Sequence, residues 1–152
     1  MVRRKKKVLL TSGQYISTIS LGKQFAYKGY DVFVTDTTRL CISRRSNVFK
    51  GKLLIPSPSL QTEQFIEKMI AIVNEKKIDH LIPVGEEIFY LSKYRHLFPK
   101  HCSLFLSDFD KLHSLHNKWM FNQKLKSLGL FFPKSYLIRS LKDLKSIPLK
   151  FP

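Results

Sequence analysis

Cysteine is scarce, with Cys41 and Cys102 the whole complement of a 152-residue chain. Two thiols so far apart exclude a disulfide framework, and no histidine stands at metal-ligand spacing from either, which argues against a zinc site. Both are expected to be free thiols in a reducing compartment. Glycine is nearly as sparse, with six residues. The first loop, TSGQYIS, carries Gly13 alone, and Gln14 and Ser17 stand where G-x-G-x-x-G requires glycine. That argues against binding NAD or FAD, because the missing glycines are the ones that let backbone amides approach a pyrophosphate. Long apolar runs are absent too. The basic stretch Arg3 to Lys7 is followed only by Val8-Leu9-Leu10 before polar Thr11, too short for a signal peptide or a membrane span. A cytoplasmic protein without a membrane partner is expected. Acidic residues are few, 11 against 27 Lys and Arg, for a net charge of +16. Such a surplus attracts polyanions such as nucleotides and nucleic acid. Beyond Arg3 to Lys7 the basic residues form no second block in the sequence.

What is present is the composition of a folded domain: 43% hydrophobic residues, with 12 Phe, 6 Tyr and one Trp, and enough length to bury roughly 70% of the unfolded surface. Lys6 to Thr11 reads as a short buried strand and Tyr15 to Lys28 as a helix closed by Gly29, with Gly22 and Ala26 allowing close approach to a sheet. DVFVTD, Asp31 to Asp36, is a second strand and Lys52 to Ile55 a third. Ser59 to Lys77 is an amphipathic helix with Phe65, Met69, Ile72 and Val73 at i, i+4, i+7 and i+8. Strands at Asp79 to Val84 and Ser103 to Leu106 enclose a helix at Glu86 to Leu97. Strands alternating with helices need parallel pairing, since a parallel neighbour is reached by a crossover. The fold class is therefore α/β, a Rossmann-like parallel sheet with flanking helices. After it come a short helix, Asp108 to Leu115, a second at Lys118 to Leu128, a strand at Phe132 to Ile138, and a helix at Ser140 to Ile147 begun by a partial capping box, Ser140 and Asp143.

Candidate ligand groups sit where strands end, the edge at which α/β sheets bind ligands. Gly13 makes a tight turn into a helix N-terminus that can also take a carboxylate or phosphate. Asp36 reads as a turn or cap residue once the glycines of a ribose-binding site are missing. Arg39, Arg44 and Arg45 either meet an anion or form a solvated basic loop. Glu86 and Glu87 open a helix, where they complement its dipole by about 0.3 to 1 kcal/mol each; recognition of a substrate amine or of the first loop's backbone is their functional alternative. Lys118 stands in the first turn of a helix, where the dipole opposes it. It is either a solvated lysine or a partner for a phosphate bound at that helix end. The five histidines have no acid–base partner legible in the sequence.

The succession KKVLLTSGQYISTISLGKQFAYKGYDVFVTD, SRRSN, PSPS, FIEKMIAIVNEKKIDHLIPVGEEIFYLS and LHSLHNKWMFNQKLKSLGLFFPKS resembles, in order and spacing, the N-terminal part of ATP-grasp enzymes, most closely carbamoyl phosphate synthetase and biotin carboxylase. The resemblance implies a pre-ATP-grasp domain at 1–107, connecting helices at 108–129, and at 130–152 the start of an incomplete ATP-grasp domain. It implies an ATP-dependent ligase that activates a carboxylate as an acylphosphate, with ATP and magnesium as cofactors of the whole enzyme. Lys118 matches the family's first ATP-contacting basic residue, although Asn117 precedes it where Asp is usual. Gly129 and Pro133 match the Gly-x-x-x-Pro entry to the ATP-grasp body. Ser12, Gly13, Gln14, Glu86 and Glu87 are the candidate substrate-binding residues. The second ATP lysine, the adenine hinge, the magnesium carboxylates and the catalytic arginine have no counterparts, so no catalytic residue or metal ligand is assigned. The expected partner is the ATP-grasp body, in the same chain or another, and residues 1 to 152 alone are expected to be inactive. The apolar segment Phe131 to Leu141 would support a homodimer, and a basic α/β module binding nucleic acid or a protein is the alternative reading.

Overall fold

The computed structural model describes residues 4–147. The chain divides into two compact units between Phe109 and Asp110. In the first, five strands, β1 (Lys7–Leu10), β2 (Asp31–Asp36), β3 (Gly51–Leu54), β4 (His80–Ile82) and β5 (Ser103–Leu104), form one sheet in the order β3-β2-β1-β4-β5. Every pairing is parallel, with Lys7 beside Asp31 and Val8 beside His80. The α/β class and parallel sheet expected from the alternation are what the chain adopts. Helices make three of the four crossovers, α1 (Ile16–Tyr27), α2 (Thr62–Lys76) and α3 (Glu87–Lys93), while β2 reaches β3 through a 3-10 turn at Ile42–Arg45.

The central strand shows why the sheet needs cover on both sides. Successive side chains of a strand point to opposite faces, and Val8, Leu9 and Leu10 are all fully buried. Leu9 joins one core with Phe65 and Met69 of α2, Leu81 of β4 and Leu91 of α3. Val8 and Leu10 join a second core with Val32, Val34 and Phe49, against Ile19, Leu21 and Phe25 of α1. Gly22 does allow a close approach, but to Phe49 rather than to a strand: a Cβ there would lie 2.8 Å from the Phe49 ring. Gly29 closes α1 in the left-handed conformation, φ 84°. Such a φ carries no Cβ penalty for glycine. Lys77 takes the equivalent place after α2 at φ 53°.

Several elements are shorter than the residue pattern predicts. β4 stops at Ile82 because Pro83 has no N–H to donate to a ladder. The helix expected to run to Leu97 breaks at Tyr94 into a 3-10 turn, Arg95–Leu97. Cys41 and Cys102 are free and buried. Burial, then the charge of Asp79, push the Cys102 thiol up to about 11.

The second unit carries α4 (Phe109–His116), α5 (Lys118–Ser127) and α6 (Leu141–Ser146). Gly129 follows α5 at φ 67°. Ser140 and Asp143 form a full capping box on α6. The strand expected at Phe132 to Ile138 is not formed; residues 130–139 have no regular secondary structure. A strand requires a neighbour to take its backbone N–H and C=O groups, and none of the described strands pairs with this segment. Most of its apolar residues stay outside, Phe131 at 96% exposure, while Phe132 is half-buried.

Asp79 ties the chain ahead of β1 to the start of β4. Its carboxylate accepts from the Lys7 N–H at 2.7 Å and from Arg4 Nη2 at 2.5 Å. Burial works against its ionisation, but those two donors outweigh it and hold the carboxyl below the usual carboxylate range. A depressed folded-state value contributes stability above the unfolded value and loses it as pH falls through the folded one. Asp79→Asn is therefore expected to lower stability in urea melts at neutral pH, by a margin that closes as pH falls from about 4 downward. A margin unchanged by acid would contradict this.

Candidate functional site

All five strands end at one edge of the sheet, and the loop after β1 is tied there to three neighbours. The Val84 N–H donates to Thr11 Oγ1 at 3.0 Å, which fixes the loop to the chain leaving β4. The Gly13 N–H donates to the Thr35 carbonyl at 3.1 Å, and the Gly13 carbonyl accepts from Ser43 N–H at 3.1 Å. The Gln14 N–H donates to Asp36 Oδ2 at 2.8 Å, while Asp36 Oδ1 accepts from Thr38 N–H at 2.8 Å. Asp36 is buried; with both oxygens holding backbone amides, it organises the two loops around it. Thr18 Oγ1 donates to the Ser12 carbonyl at 2.7 Å, fastening the first turn of α1 beneath the loop.

Ser12 occupies the left-handed region at φ 54°, a conformation that costs a non-glycine residue on the order of 1 to 3 kcal/mol and persists only where the surroundings enforce it. Its hydroxyl donates to the Glu87 carboxylate. This bond crosses from the end of β1 to the start of α3, and Gly85 lies under it. A Cβ at Gly85 would collide with both the Ser12 hydroxyl and the Glu87 carboxylate, so the bond needs glycine there for space, not for backbone conformation.

Beside the bond opens a cavity of about 270 Å³. Ser12, Gln14, Asp36, Glu86 and Glu87 supply its polar wall; Ile55, Phe65 and Tyr90 supply apolar surface. Of the predicted substrate-binding residues, Ser12, Gln14, Glu86 and Glu87 thus converge on one hollow, and Gly13 is buried behind it, packed so closely that a Cβ would meet Ser43, Val34 and Cys41 at 3.2 to 3.3 Å. Arg39, Arg44 and Arg45 do not line the cavity. Arg44 and Arg45 lie in the 3-10 turn Ile42–Arg45, where the Arg44 carbonyl accepts from Lys52 Nζ at 2.7 Å. Sequence reasoning missed the wall formed by Ser57, Pro58 and Ser59 after β3, and Tyr90 one turn into α3. Their signal was positional: each follows the carboxyl end of a strand.

Lys118 is not among the cavity residues; it is exposed in the first turn of α5 in the second unit. Asn117 caps that helix, its Oδ1 accepting from the Met120 N–H at 3.0 Å. A lysine ammonium beside a helix N-terminus suits a phosphate group. Among the described residues there is no group of three or more His, Cys, Asp or Glu placed to hold a metal ion, and no helix long and apolar enough to cross a membrane.

No family model matches the chain, and no curated protein does. Solved structures do. The L-amino acid ligase from Bacillus licheniformis aligns over 99% of this chain with a TM-score of 0.74 at 15% identity. The N5-carboxyaminoimidazole ribonucleotide synthetase from Thermotoga maritima aligns over 90% with a TM-score of 0.59 at 19% identity. The biotin carboxylase domain of a single-chain bacterial carboxylase aligns over 93% with a TM-score of 0.63 at 11% identity. The chain spans 36%, 34% and 33% of these proteins, about a third of each. At such identities the likeness is one of fold, and the fold is that of the N-terminal region of ATP-grasp ligases.

Gly85→Ala displaces the Ser12 hydroxyl and the Glu87 carboxylate and so breaks the bond between them. We expect a loss of about 1 to 3 kcal/mol of stability in urea denaturation, the usual cost of overpacking. Retention of full stability would mean that the loop does not depend on this bond.

Proposed function

We propose that residues 1–107 form the substrate-binding domain of an ATP-grasp ligase, 108–129 its connecting helices and 130–152 the entry to its ATP-grasp body. The observation that carries the reading is the alignment over 99% of the chain with a ligase at TM-score 0.74. The reaction is activation of a carboxylate by ATP, joining it to a nucleophile through an acylphosphate.

Two features of this chain support the assignment of roles. The cavity gathers Asp36, Glu86 and Glu87, three of only 11 acidic residues in a chain of net charge +16. Carboxylates and hydroxyls so placed favour a cationic or hydroxyl-rich group, such as the amine of a substrate. Lys118, with the capped amino end of α5, provides a positive site for a phosphate of ATP. When bound, ATP would supply the phosphoryl group that makes the carboxylate reactive. Among the described residues no three His, Cys, Asp or Glu are placed to hold a metal ion; magnesium would be held by carboxylates of the ATP-grasp body together with the phosphates of ATP. That body, in the same polypeptide or in a partner, would also cover the exposed side chains of Phe131, Ile138 and Leu141. A second copy of the chain is the alternative cover, giving a homodimer.

The division of labour makes a direct prediction. Residues 1 to 152 alone are expected to turn over no ATP, with or without amino acid or carboxylate substrates. When the body is supplied, turnover appears and Lys118→Ala lowers it at least about 10-fold, the effect of losing a charge-assisted contact of roughly 1.5 to 3 kcal/mol. Turnover by the 152 residues alone that Lys118→Ala abolishes would refute the division; full turnover without Lys118 would refute its role.

A further inference from the structure

The basic residues that form no second block in the sequence do form one in space. In a parallel sheet every strand enters at the same edge, and here each entry carries exposed lysine: Lys5 and Lys6 before β1, Lys28 before β2, Lys50 before β3, Lys77 before β4 and Lys100 before β5. The register sets Lys5, Lys77 and Lys100 level with one another beside Lys28, while Lys50, opposite Val32, stands about three residues further along the strand direction. Asp31 N–H donates to the Lys6 carbonyl at 2.9 Å, Lys50 N–H to the Val32 carbonyl at 2.7 Å, and Asp79 N–H to the Lys7 carbonyl at 2.9 Å. Adjacent strands lie about 4.8 Å apart, so five entries make a row of roughly 19 Å. This edge is opposite the cavity.

Acidic compensation is weak along the row. Asp79 is already bound by Arg4 and the Lys7 amide; Asp31 is half-buried, which leaves Glu75, in the last turn of α2, as the exposed carboxylate beside it. Between the entries to β1 and β2 is a recess of about 330 Å³ lined by Arg4, Lys6, Lys28, Gly29 and Tyr30. Next to it Tyr27 is 84% exposed, with Lys28 Nζ 5.8 Å from its ring centroid.

We infer that this amino-terminal edge of the sheet is a binding surface for single-stranded nucleic acid, with the lysine row following the phosphates and Tyr27 offering a face on which a base stacks. Cations in a line combined with an exposed aromatic ring are what sequence-tolerant single-strand binding uses. An anionic membrane would instead call for an apolar face to insert next to the charge. Among the described residues, the large apolar side chain besides Tyr27 that is exposed on the connections entering this edge is Leu97, whereas Ile16, Leu40 and Leu60 follow strand carboxyl ends at the far side. The surface is independent of the ligase reading and uses none of its residues.

The test is fluorescence anisotropy of a labelled single-stranded RNA with the 152-residue chain across a salt series. Binding is expected, with a log–log salt slope of about −0.7 per phosphate contact, so about −3 for four contacts. Reversing Lys28, Lys50, Lys77 and Lys100 to Glu should weaken binding at least about 10-fold and reduce the slope by about 2 or more. Reversing Arg39, Lys68, Lys124 and Lys142, four exposed cations elsewhere, should change affinity less than about 3-fold. Tyr27→Ala should cost about 5-fold or more. Should the edge variant not fold, lysine acetylation of the unaltered chain, read by mass spectrometry, gives the same answer: RNA should protect Lys28, Lys50, Lys77 and Lys100, and leave Lys68 reactive. Equal loss in both reversal variants, absence of RNA binding, uniform protection, or capture by phosphatidylserine vesicles in preference to RNA would overturn the proposal.

Discussion

Everything in the first unit depends on five strands running the same way. Parallel pairing demands crossovers, crossovers supply helices, and helices cover the two faces that leave Val8, Leu9 and Leu10 without solvent exposure. The same constraint gives the sheet two unlike ends. At the carboxyl end the loops must be stitched together, because no ladder continues there. Thr11, Asp36 and Glu87 do the stitching, accepting from Val84, from Gln14 and Thr38, and from Ser12. The cavity is the space these stitches leave open. At the amino end the chain enters each strand through lysine, and positive charge accumulates.

The first loop replaces the glycine-rich turn of dinucleotide-binding folds with a different solution. Gly13 alone has no room for a side chain between Ser43, Val34 and Cys41, and the backbone reversal falls on Ser12, whose hydroxyl is then directed to Glu87. A carboxylate at a helix start is stabilising on dipole grounds alone; here it also holds the loop in a conformation the backbone disfavours. Substrate recognition at this end would thus use a loop that is already ordered, which lowers the conformational cost of binding.

Much of this was legible in advance because it follows from period and punctuation. The strand at Asp31 to Asp36 has the expected limits, and the helix ended by Gly29 comes within one residue of its expected limits at each end, because a short apolar run bounded by aspartates and a left-handed glycine are local signals. The turn reading of Asp36 rested on chain position and matches its bond to the Thr38 N–H. What could not be read was non-local. Phe132 to Ile138 has the residues of a strand, yet pairing depends on a neighbour, and the described residues contain none for it. The Ser12–Glu87 bond joins residues 75 apart, and the row of lysines exists only once the strand order is known. Scatter along a sequence says nothing about clustering in space when strands share one direction.

We propose that nucleotide and substrate are handled by different units of the chain, ATP at the head of α5 and the substrate at the strand ends. A nitrogen-resolved NMR titration of the protein with magnesium ATP tests it most directly. Weak binding is expected, with shifts concentrated at Asn117, Lys118, Met120 and the turn at Gly129. Shifts concentrated at Ser12, Gly13 and Gln14, with α5 unmoved, would contradict it and would make the first loop a nucleotide site after all.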